Sequence, residues 1–528
     1  MALSRPASRV PRSRKQWGIS LLAMLMAAPL LVVVTSPLHA PAPEWAHVAR
    51  ELLPAHLRET LLLLGGTLAL ALLVAVPTAW LLARFDLPMR GIFRWALVMP
   101  LALPTYISAY TYAAMLGPTG SISVWTAAHW GFRPDIMGLP GLCLVLALAL
   151  FPYVMLPVRA AFSVGMTPQL DAARLLGARP LRRFGKVALP LARPAIAGGA
   201  LLLAMETLND YGAVKYYGIR TLTTGIFRSW GGLYDPGSAL RLGLALMGLV
   251  ALLIWIERRT RRMARQDTAQ VRARREKLRG WQAWMATAWC LLVWCAAAGL
   301  PLGKLLYDVL QSTGDAMPDG VLSAMGNTLL VASLAALVTL VVAVLFAYRE
   351  RHGDAGDPAI RLARLGYAIP GAVIAVGVMA LAGAIDRQGV LFFTLIGSLG
   401  LLTYAFAVRF VAVGTQPLLD GLRQQGAELD EAARLMGASR PRTFLRVNLP
   451  LLRPAMAAAA TLVAIDVIKE LPLTLILRPF NFHTLSTLTY EMASIEQLRE
   501  ASWPALLIVL CGLLPVLLLE RSLARSLR

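Results

Sequence analysis

Asp171-Ala172-Ala173-Arg174-Leu175-Leu176-Gly177-Ala178 recurs as Glu431-Ala432-Ala433-Arg434-Leu435-Met436-Gly437-Ala438, 260 residues further along the same 528-residue chain. The register holds beyond the octapeptide, setting Val187-Ala188-Leu189-Pro190 opposite Val447-Asn448-Leu449-Pro450 and Arg193-Pro194-Ala195 opposite Arg453-Pro454-Ala455. At a shifted spacing, Val74-Ala75-Val76-Pro77-Thr78-Ala79-Trp80 falls opposite Val342-Ala343-Val344-Leu345-Phe346-Ala347-Tyr348. The duplication therefore covers far more than one loop, and internal symmetry of this kind marks a chain built from two equivalent units.

The material between the repeats is apolar. Hydrophobic residues make up 57% of the chain and charged residues 15%, with a mean hydropathy of +0.62, too apolar for a soluble core and surface. Crossing a ~30 Å hydrocarbon layer takes about 20 apolar residues in a helix that bonds its own backbone. Such runs lie near 17–36, 60–83, 95–116, 138–158, 194–214 and 238–256, then near 281–303, 326–348, 365–385, 389–412, 454–472 and 502–519. The expectation is an all-α polytopic membrane protein of about twelve spans, organised as a six-helix half over 1–256, a basic linker over 257–280 and a second half over 281–528. Six spans return the chain to its starting side, so the halves share one topology about an axis along the membrane normal.

Charge sets the orientation. The net charge of +22 comes from short clusters between apolar runs, a distribution that suits anionic lipid headgroups and excludes a nucleic-acid partner. Most of the 51 Lys and Arg fall on the side that holds the N-terminus, including ten against three acids between Glu257 and Arg279. Both termini and the linker are therefore expected in the cytoplasm of a bacterial inner membrane. The basic start, apolar stretch and Leu38-His39-Ala40 also resemble a signal peptide, but the stretch is long for one and is read as a retained helix. Cys143, Cys290, Cys295 and Cys511 sit in apolar runs without a CxxC pair and read as small buried hydrophobes.

Both repeated loops follow the fourth span of their half. Thr167-Pro168 opens a helix, Asp171 sits near its positive end, Gly177 and Gly437 suit a left-handed stop, and Pro180 and Pro441 open a second helix. Leu175, Leu176, Phe184 and Val187 are expected to leave an apolar face that needs a partner.

The doubled pattern of an acid, Ala-Ala, three residues, Gly, nine residues, a β-branched residue, one residue and Leu-Pro resembles the coupling loop of ABC importer permeases. That resemblance implies a fold of the type I importer class and a coupling role for Asp171, Ala172, Ala173, Gly177, Leu189 and Pro190, and for Glu431, Ala432, Ala433, Gly437, Leu449 and Pro450. The first copy departs by carrying Asp for Glu. Implied partners are two copies of a cytoplasmic ABC ATPase, a periplasmic substrate-binding protein and membrane lipid. ATP and Mg would belong to the ATPase, since no GxxxxGK[ST] loop occurs here and Gly299-Leu300-Pro301-Leu302-Gly303-Lys304 is one residue short between its glycines. No cofactor and no catalytic residue are expected in this chain.

A further resemblance is carried by Met205-Glu206-Thr207-Leu208-Asn209-Asp210-Tyr211-Gly212 with Thr223-Thr224-Gly225-Ile226-Phe227-Arg228. Asp466-Val467-Ile468-Lys469-Glu470-Leu471-Pro472 with Leu477-Arg478-Pro479-Phe480-Asn481-Phe482 carries it in the second half. These segments are similar to fused permeases of ferric iron uptake, and permeases for thiamine and phosphonates share parts of them. Independently, ionisable residues at span ends face a cavity or a partner. Glu206 pairs with Asp466, Asn209 with Lys469 and Asp210 with Glu470 at the 260-residue offset, so these six are the candidate translocation path. Carboxylates suit a hard cation, while the rival reading is a structural ion-pair network, for example Lys469 with a neighbouring acid. A conduit must release its cargo, so no high-affinity metal site is predicted. Pro104 and Pro370 are expected to bend the third span of each half. The rival functions are an ion-coupled secondary transporter and a receptor or scaffold that uses the loops only for docking.

Overall fold

The computed structural model describes residues 14–41, 43–163, 167–262, 276–278, 280–312, 317–352, 357–389 and 394–526. The basic segment before residue 14, the linker residues 263–275 and 279, and the side chain of Thr167 lie outside the described residues.

Among the described residues each apolar run contributes helix, as backbone in lipid must, although the run 389–412 is helical only from Leu399. Among the described residues, seven helices are long and apolar enough to cross a membrane: Gly18–Leu38, Trp45–Arg84, Phe184–Asn209, Pro236–Thr260, Trp281–Gln311, Val321–Arg351 and Leu399–Gln424. Three bent pairs raise the number to ten: Arg90–Ala102 with Thr105–Trp130, Leu139–Leu150 with Pro152–Ser163, and Arg440–Leu451 with Arg453–Lys469. The other two runs are helical as well, Gly371–Arg387 with 17 residues and Leu498–Ser526 with 29. The chain is thus an all-α polytopic membrane protein, consistent with a duplicated six-helix design. Leu21, Leu73, Leu322 and Leu337 are at least 60% exposed, and lipid is the solvent that accepts them.

Several of the expected spans are broken, among them 138–158, which bends by 45° after Leu150, and two break at a proline. The run 95–116 turns by 94° between its helices, at Leu103 and Pro104, where Pro104 (φ −54°, ψ 141°) stands just before Thr105–Leu116. Pro370 adopts the same conformation (φ −55°, ψ 141°) before Gly371–Arg387. A proline lacks the N–H that would continue a preceding helix, so the two prolines start half-helices where a bend within one helix was expected.

The symmetry reaches the packing. The second span lies along the fourth and the eighth along the tenth, while the fifth and eleventh pack on the fourth and tenth in turn. The first span of each half crosses to the other half. Gly18–Leu38 packs on Gly371–Arg387, where a Cβ on Gly377 would lie 2.5 Å from the Pro29 carbonyl oxygen, and the Tyr404 hydroxyl donates to the Leu25 carbonyl at 2.7 Å. In the seventh span, the Ala296 carbonyl accepts from the Tyr112 hydroxyl of the third. Small residues at such crossings let helix backbones approach closely. The two halves are interlocked rather than side by side.

Candidate functional site: a central cavity and two elbow loops

The fifth span ends at Asn209 and the eleventh at Lys469, and in both the next residue leaves the helix in one conformation: Asp210 at φ −69°, ψ 121° and Glu470 at φ −72°, ψ 123°. The acids explain the break. Asp210 Oδ1 accepts from the Ala213 amide at 2.9 Å, and Glu470 Oε2 accepts from Leu473 at 2.9 Å and Thr474 at 3.4 Å. Each carboxylate thereby takes up amides that the first turn of the next short helix leaves unbonded. Those helices are Gly212–Tyr216 and Pro472–Leu477. Beyond them, Thr221 with Thr224 and Thr484 with Thr487 form matching capping boxes.

These breaks meet at a cavity of about 130 Å³ between the halves, lined by all six of the residues expected there: Glu206, Asn209, Asp210, Asp466, Lys469 and Glu470. Arg409, from the tenth span, also lines it. Four acids face two bases, a formal balance of −2. Arg409 Nη1 lies 3.8 Å from Glu470 Oε1, with both side chains under 10% exposed, and the Ile369 carbonyl accepts from Arg409 at 3.4 Å. Lys469 Nζ donates to the Leu101 carbonyl at 2.7 Å, so the ion pair of the site belongs to Arg409 and not to Lys469. Asn209 Oδ1 accepts from the Gly371 amide at 2.8 Å. A Cβ on Gly371 would lie 2.3 Å from Glu470 Oε1 and 2.6 Å from Arg409 Nη1, so a larger residue there would displace the charged ends of this pair. Among the described residues Asp210 Oδ2 is buried without a hydrogen-bond partner, and Glu470 Oε1 faces only the Arg409 guanidinium at 3.8 Å, which leaves Asp210 Oδ2 as acceptor capacity for a passing donor or cation.

Two tyrosines join this cavity to others. Tyr211 lines it and also an outer cavity past the fifth span, stacked on Phe227 with ring centroids 3.6 Å apart. Tyr367 lines it and also a cavity bounded by Arg258, Arg361 and Gln416. Sequence reasoning missed Arg409 and both tyrosines. An arginine inside an apolar run was a readable signal, but its equivalent at the 260-residue offset is Ala149, so self-comparison passes over it.

The repeated loops are built alike. Thr167–Leu175 and Glu428–Leu435 are helices; they end at Gly177 (φ 77°) and Gly437 (φ 81°). Ala178 N donates to Ala173 O and Gly177 N to Arg174 O, both at 2.9 Å, and Ala438 and Gly437 repeat these bonds to Ala433 and Arg434 at 3.0 and 2.9 Å. This paired closure is a Schellman stop, which needs a left-handed residue. Second helices begin at Pro180 and Arg440 and lead past Leu189-Pro190 and Leu449-Pro450; the first runs on into the fifth span, while the second breaks at Leu452 and turns by 72° into the eleventh. Leu175, Leu176, Leu435 and Met436 are 82% exposed or more. Phe184 and Val187 do not share that face, being half-buried against the core. Phe184 packs on Trp80 at 5.3 Å between centroids and Phe444 on Tyr348 at 5.1 Å, which fastens each elbow to the second span of its half.

The anchoring of the elbows differs. In the second, Asp430 Oδ2 accepts from Arg351 Nε at 2.7 Å and Asp430 Oδ1 from Asn448 Nδ2 at 3.0 Å. The first carries Ala83, Leu170 and Ala188 at the equivalent positions, all at most 2% exposed. It is tied instead to the end of the linker, where Glu276–Lys277 pairs as a short parallel strand with Phe85–Asp86. Glu276 Oε1 lies 2.9 Å from Arg183 Nη1 and 3.5 Å from Arg174 Nη1. The hydrogen bond from Arg183 holds the Glu276 carboxyl below the usual carboxylate range, against an opposing effect of burial.

Among the described residues, no three His, Cys, Asp or Glu side chains gather as a metal site. Comparison with known proteins follows the duplication. The family described as "Binding-protein-dependent transport system inner membrane component" matches twice, over residues 71–262 and 339–528. The Fe(3+)-transport system permease protein FbpB 2 of Haemophilus influenzae is 26% identical over 88% of this chain and 89% of its own length. The molybdenum transport system permease protein ModB of Azotobacter vinelandii is 32% identical over 31% of this chain and 72% of its own. The putative 2-aminoethylphosphonate transport system permease protein PhnU of Salmonella typhimurium is 31% identical over 24% and 45%. With two family copies covering most of its length, the chain belongs to the binding-protein-dependent transport system inner membrane component family and serves as the membrane-spanning permease subunit of an ABC importer.

Proposed function

We propose that this permease moves ferric iron, delivered by a periplasmic binding protein, through the central cavity into the cytoplasm. The observation that carries the cargo is the near full-length likeness to a permease named for Fe(3+) transport, and the excess of two acids in the cavity supports it, because hard carboxylate oxygens suit a hard cation. Asp210 Oδ2, without a hydrogen-bond partner among the described residues, offers a transient ligand, and scattered acids permit release where a closed cage would not.

In this reading the elbows over Asp171–Pro190 and Glu431–Pro450 face the cytoplasm and each receives one of two ATPase subunits. Their support is the matched Schellman geometry and the exposed Leu175-Leu176 and Leu435-Met436 pairs, which leave apolar surface in need of a partner. The remaining parts of the reading are cytoplasmic termini, six-helix halves at 1–256 and 281–528, and the basic linker at 257–280. Nucleotide-driven closure of the ATPases moves both elbows, and the interlocked halves rock to open the cavity to one side and then the other.

Labelled ferric iron uptake under iron limitation, in cells with and without the gene, tests the cargo. Unchanged iron uptake with lost thiamine or phosphonate uptake moves the assignment to those solutes. Proteoliposomes separate the importer from an ion-coupled carrier: transport that needs no ATPase and follows an imposed ion gradient contradicts the proposal.

A further inference from the structure

The outer cavity, about 480 Å³, is lined by His56, Lys215, Arg220, Thr224 and Arg228. It is strongly positive for a pocket at the end of apolar helices. Lys215 and Arg228 are exposed and have no ion-pair or hydrogen-bond partner among the described residues. Arg220 alone is compensated, with Nη2 3.3 Å from Glu59 Oε1 and its backbone amide donating to Glu59 Oε2 at 2.7 Å. Three cations against one acid leave a balance of +2. His56, 2% exposed, is fixed through Nδ1 to the Leu52 carbonyl at 2.7 Å, and its other ring edge lies against Gly225, where a Cβ would sit 3.1 Å from Nε2.

The pseudo-symmetry shows that this charge is not part of the shared scaffold. Lys215 corresponds to Leu475 at the 260-residue offset, and Arg228 corresponds to Glu491 at the 263-residue offset that aligns Thr221 with Thr484. In the second half Glu491 is neutralised in place, 2.5 Å from Arg478 Nη2 and 3.0 Å from His483 Nδ1. One half has a closed ion-pair cluster, and the other has an open basic cavity at the same level.

We propose that this cavity is an oxyanion site, taking a phosphate group through Lys215, Arg220 and Arg228. Arginine forks and a lysine point charge converging from several sides suit a tetrahedral group with several acceptor oxygens. The site adjoins the central cavity across Tyr211, so its occupant stands at the door of the path without entering the acidic chamber. The inference does not rest on which cargo crosses, and binding alone decides it. The phosphate group is either free or borne by a lipid headgroup.

Inorganic phosphate titrated calorimetrically into the full chain in phosphatidylcholine nanodiscs should show saturable one-site binding. Arg228→Gln should weaken it about tenfold, as expected for loss of a charge-assisted contact, and Lys215→Met with Arg228→Gln should abolish it. Arg478→Gln, in the neutralised cluster, should leave it unchanged. In a second arm, native mass spectrometry from discs containing phosphatidylglycerol should show a retained lipid that Arg228→Gln releases if the headgroup is the source. Binding in either arm with that dependence supports the site. No binding in both arms, or binding that Arg228→Gln does not weaken, overturns it.

Discussion

Replacing Asp430 with Ala should loosen the second elbow by a calculable amount. Asp430 is 4% exposed and accepts from Arg351 Nε at 2.7 Å and from Asn448 Nδ2 at 3.0 Å. Its removal leaves a guanidinium and an amide facing a hole, and breaking a buried pair typically costs about 3–5 kcal/mol. Arg351 retains bonds to the Leu422 and Gly426 carbonyls and its side chain is 15% exposed, so the low end, about 3 kcal/mol, applies. At about 1.4 kcal/mol per factor of ten, local opening of 427–448 becomes roughly 100- to 200-fold easier, readable as faster amide hydrogen exchange in the purified permease. The first half suggests the rescue. Because Ala83, Leu170 and Ala188 fill the equivalent space there, Arg351→Ala, Asp430→Leu and Asn448→Ala together should recover most of the protection, as apolar replacement of a buried polar cluster often does. Wild-type exchange in Asp430→Ala, or a triple variant no better protected than the single one, would refute the reasoning.

Other outcomes follow from the same geometry. Gly371→Ala places a methyl 2.3 Å from Glu470 Oε1 and 2.6 Å from Arg409 Nη1, so the charged ends must shift and uptake should fall by roughly three- to tenfold at unchanged membrane level. Glu206→Gln and Asp466→Asn each remove one acid from the cavity and should lower ferric uptake by about tenfold or more while leaving basal ATP hydrolysis by the partner intact; full uptake in both variants removes the cavity from the path. Because Arg183 holds the Glu276 carboxyl low, its tie to the first elbow contributes fully above the ordinary carboxylate value, about 4.3. The contribution fades as pH falls through the lowered folded value. Intrinsic-rate-corrected exchange in 167–183 should rise on acidification, and Glu276→Gln should remove that rise. Gly437→Asp puts an L side chain at φ 81°, at a cost of about 1–2 kcal/mol; uptake should drop with insertion retained, and normal uptake contradicts a mechanical role for the elbow.

Much of this was readable because the repeat compares the chain with itself. Gly177 and Gly437 announced the left-handed stops, and Glu206, Asn209 and Asp210 with Asp466, Lys469 and Glu470 do converge on one cavity. Self-comparison fails where the halves differ. Arg409 stands opposite Ala149, Asp430 opposite Leu170 and Arg228 opposite Glu491, and these positions hold the ion pair, the elbow anchor and the outer basic cavity. Hydropathy also hides breaks: a window cannot tell a continuous span from half-helices split at Pro104 or Glu470, since both halves are apolar. The inward turn of Phe184 onto Trp80 was out of reach for a related reason. The elbow reads as a local amphipathic segment, whereas its partner lies about a hundred residues upstream.

The central claim is that two equivalent elbows carry the force of a separate nucleotide-hydrolysing subunit into this membrane body. A photo-crosslinking residue placed at Leu175 and, separately, at Leu435 in membranes containing the cognate ATPase tests it directly, both side chains being about 90% exposed. The account predicts a cross-link to the ATPase from each position, with a yield that changes when nucleotide is added. ATPase left unlinked from both positions, or elbows reached only by reagents confined to the periplasm, would contradict it.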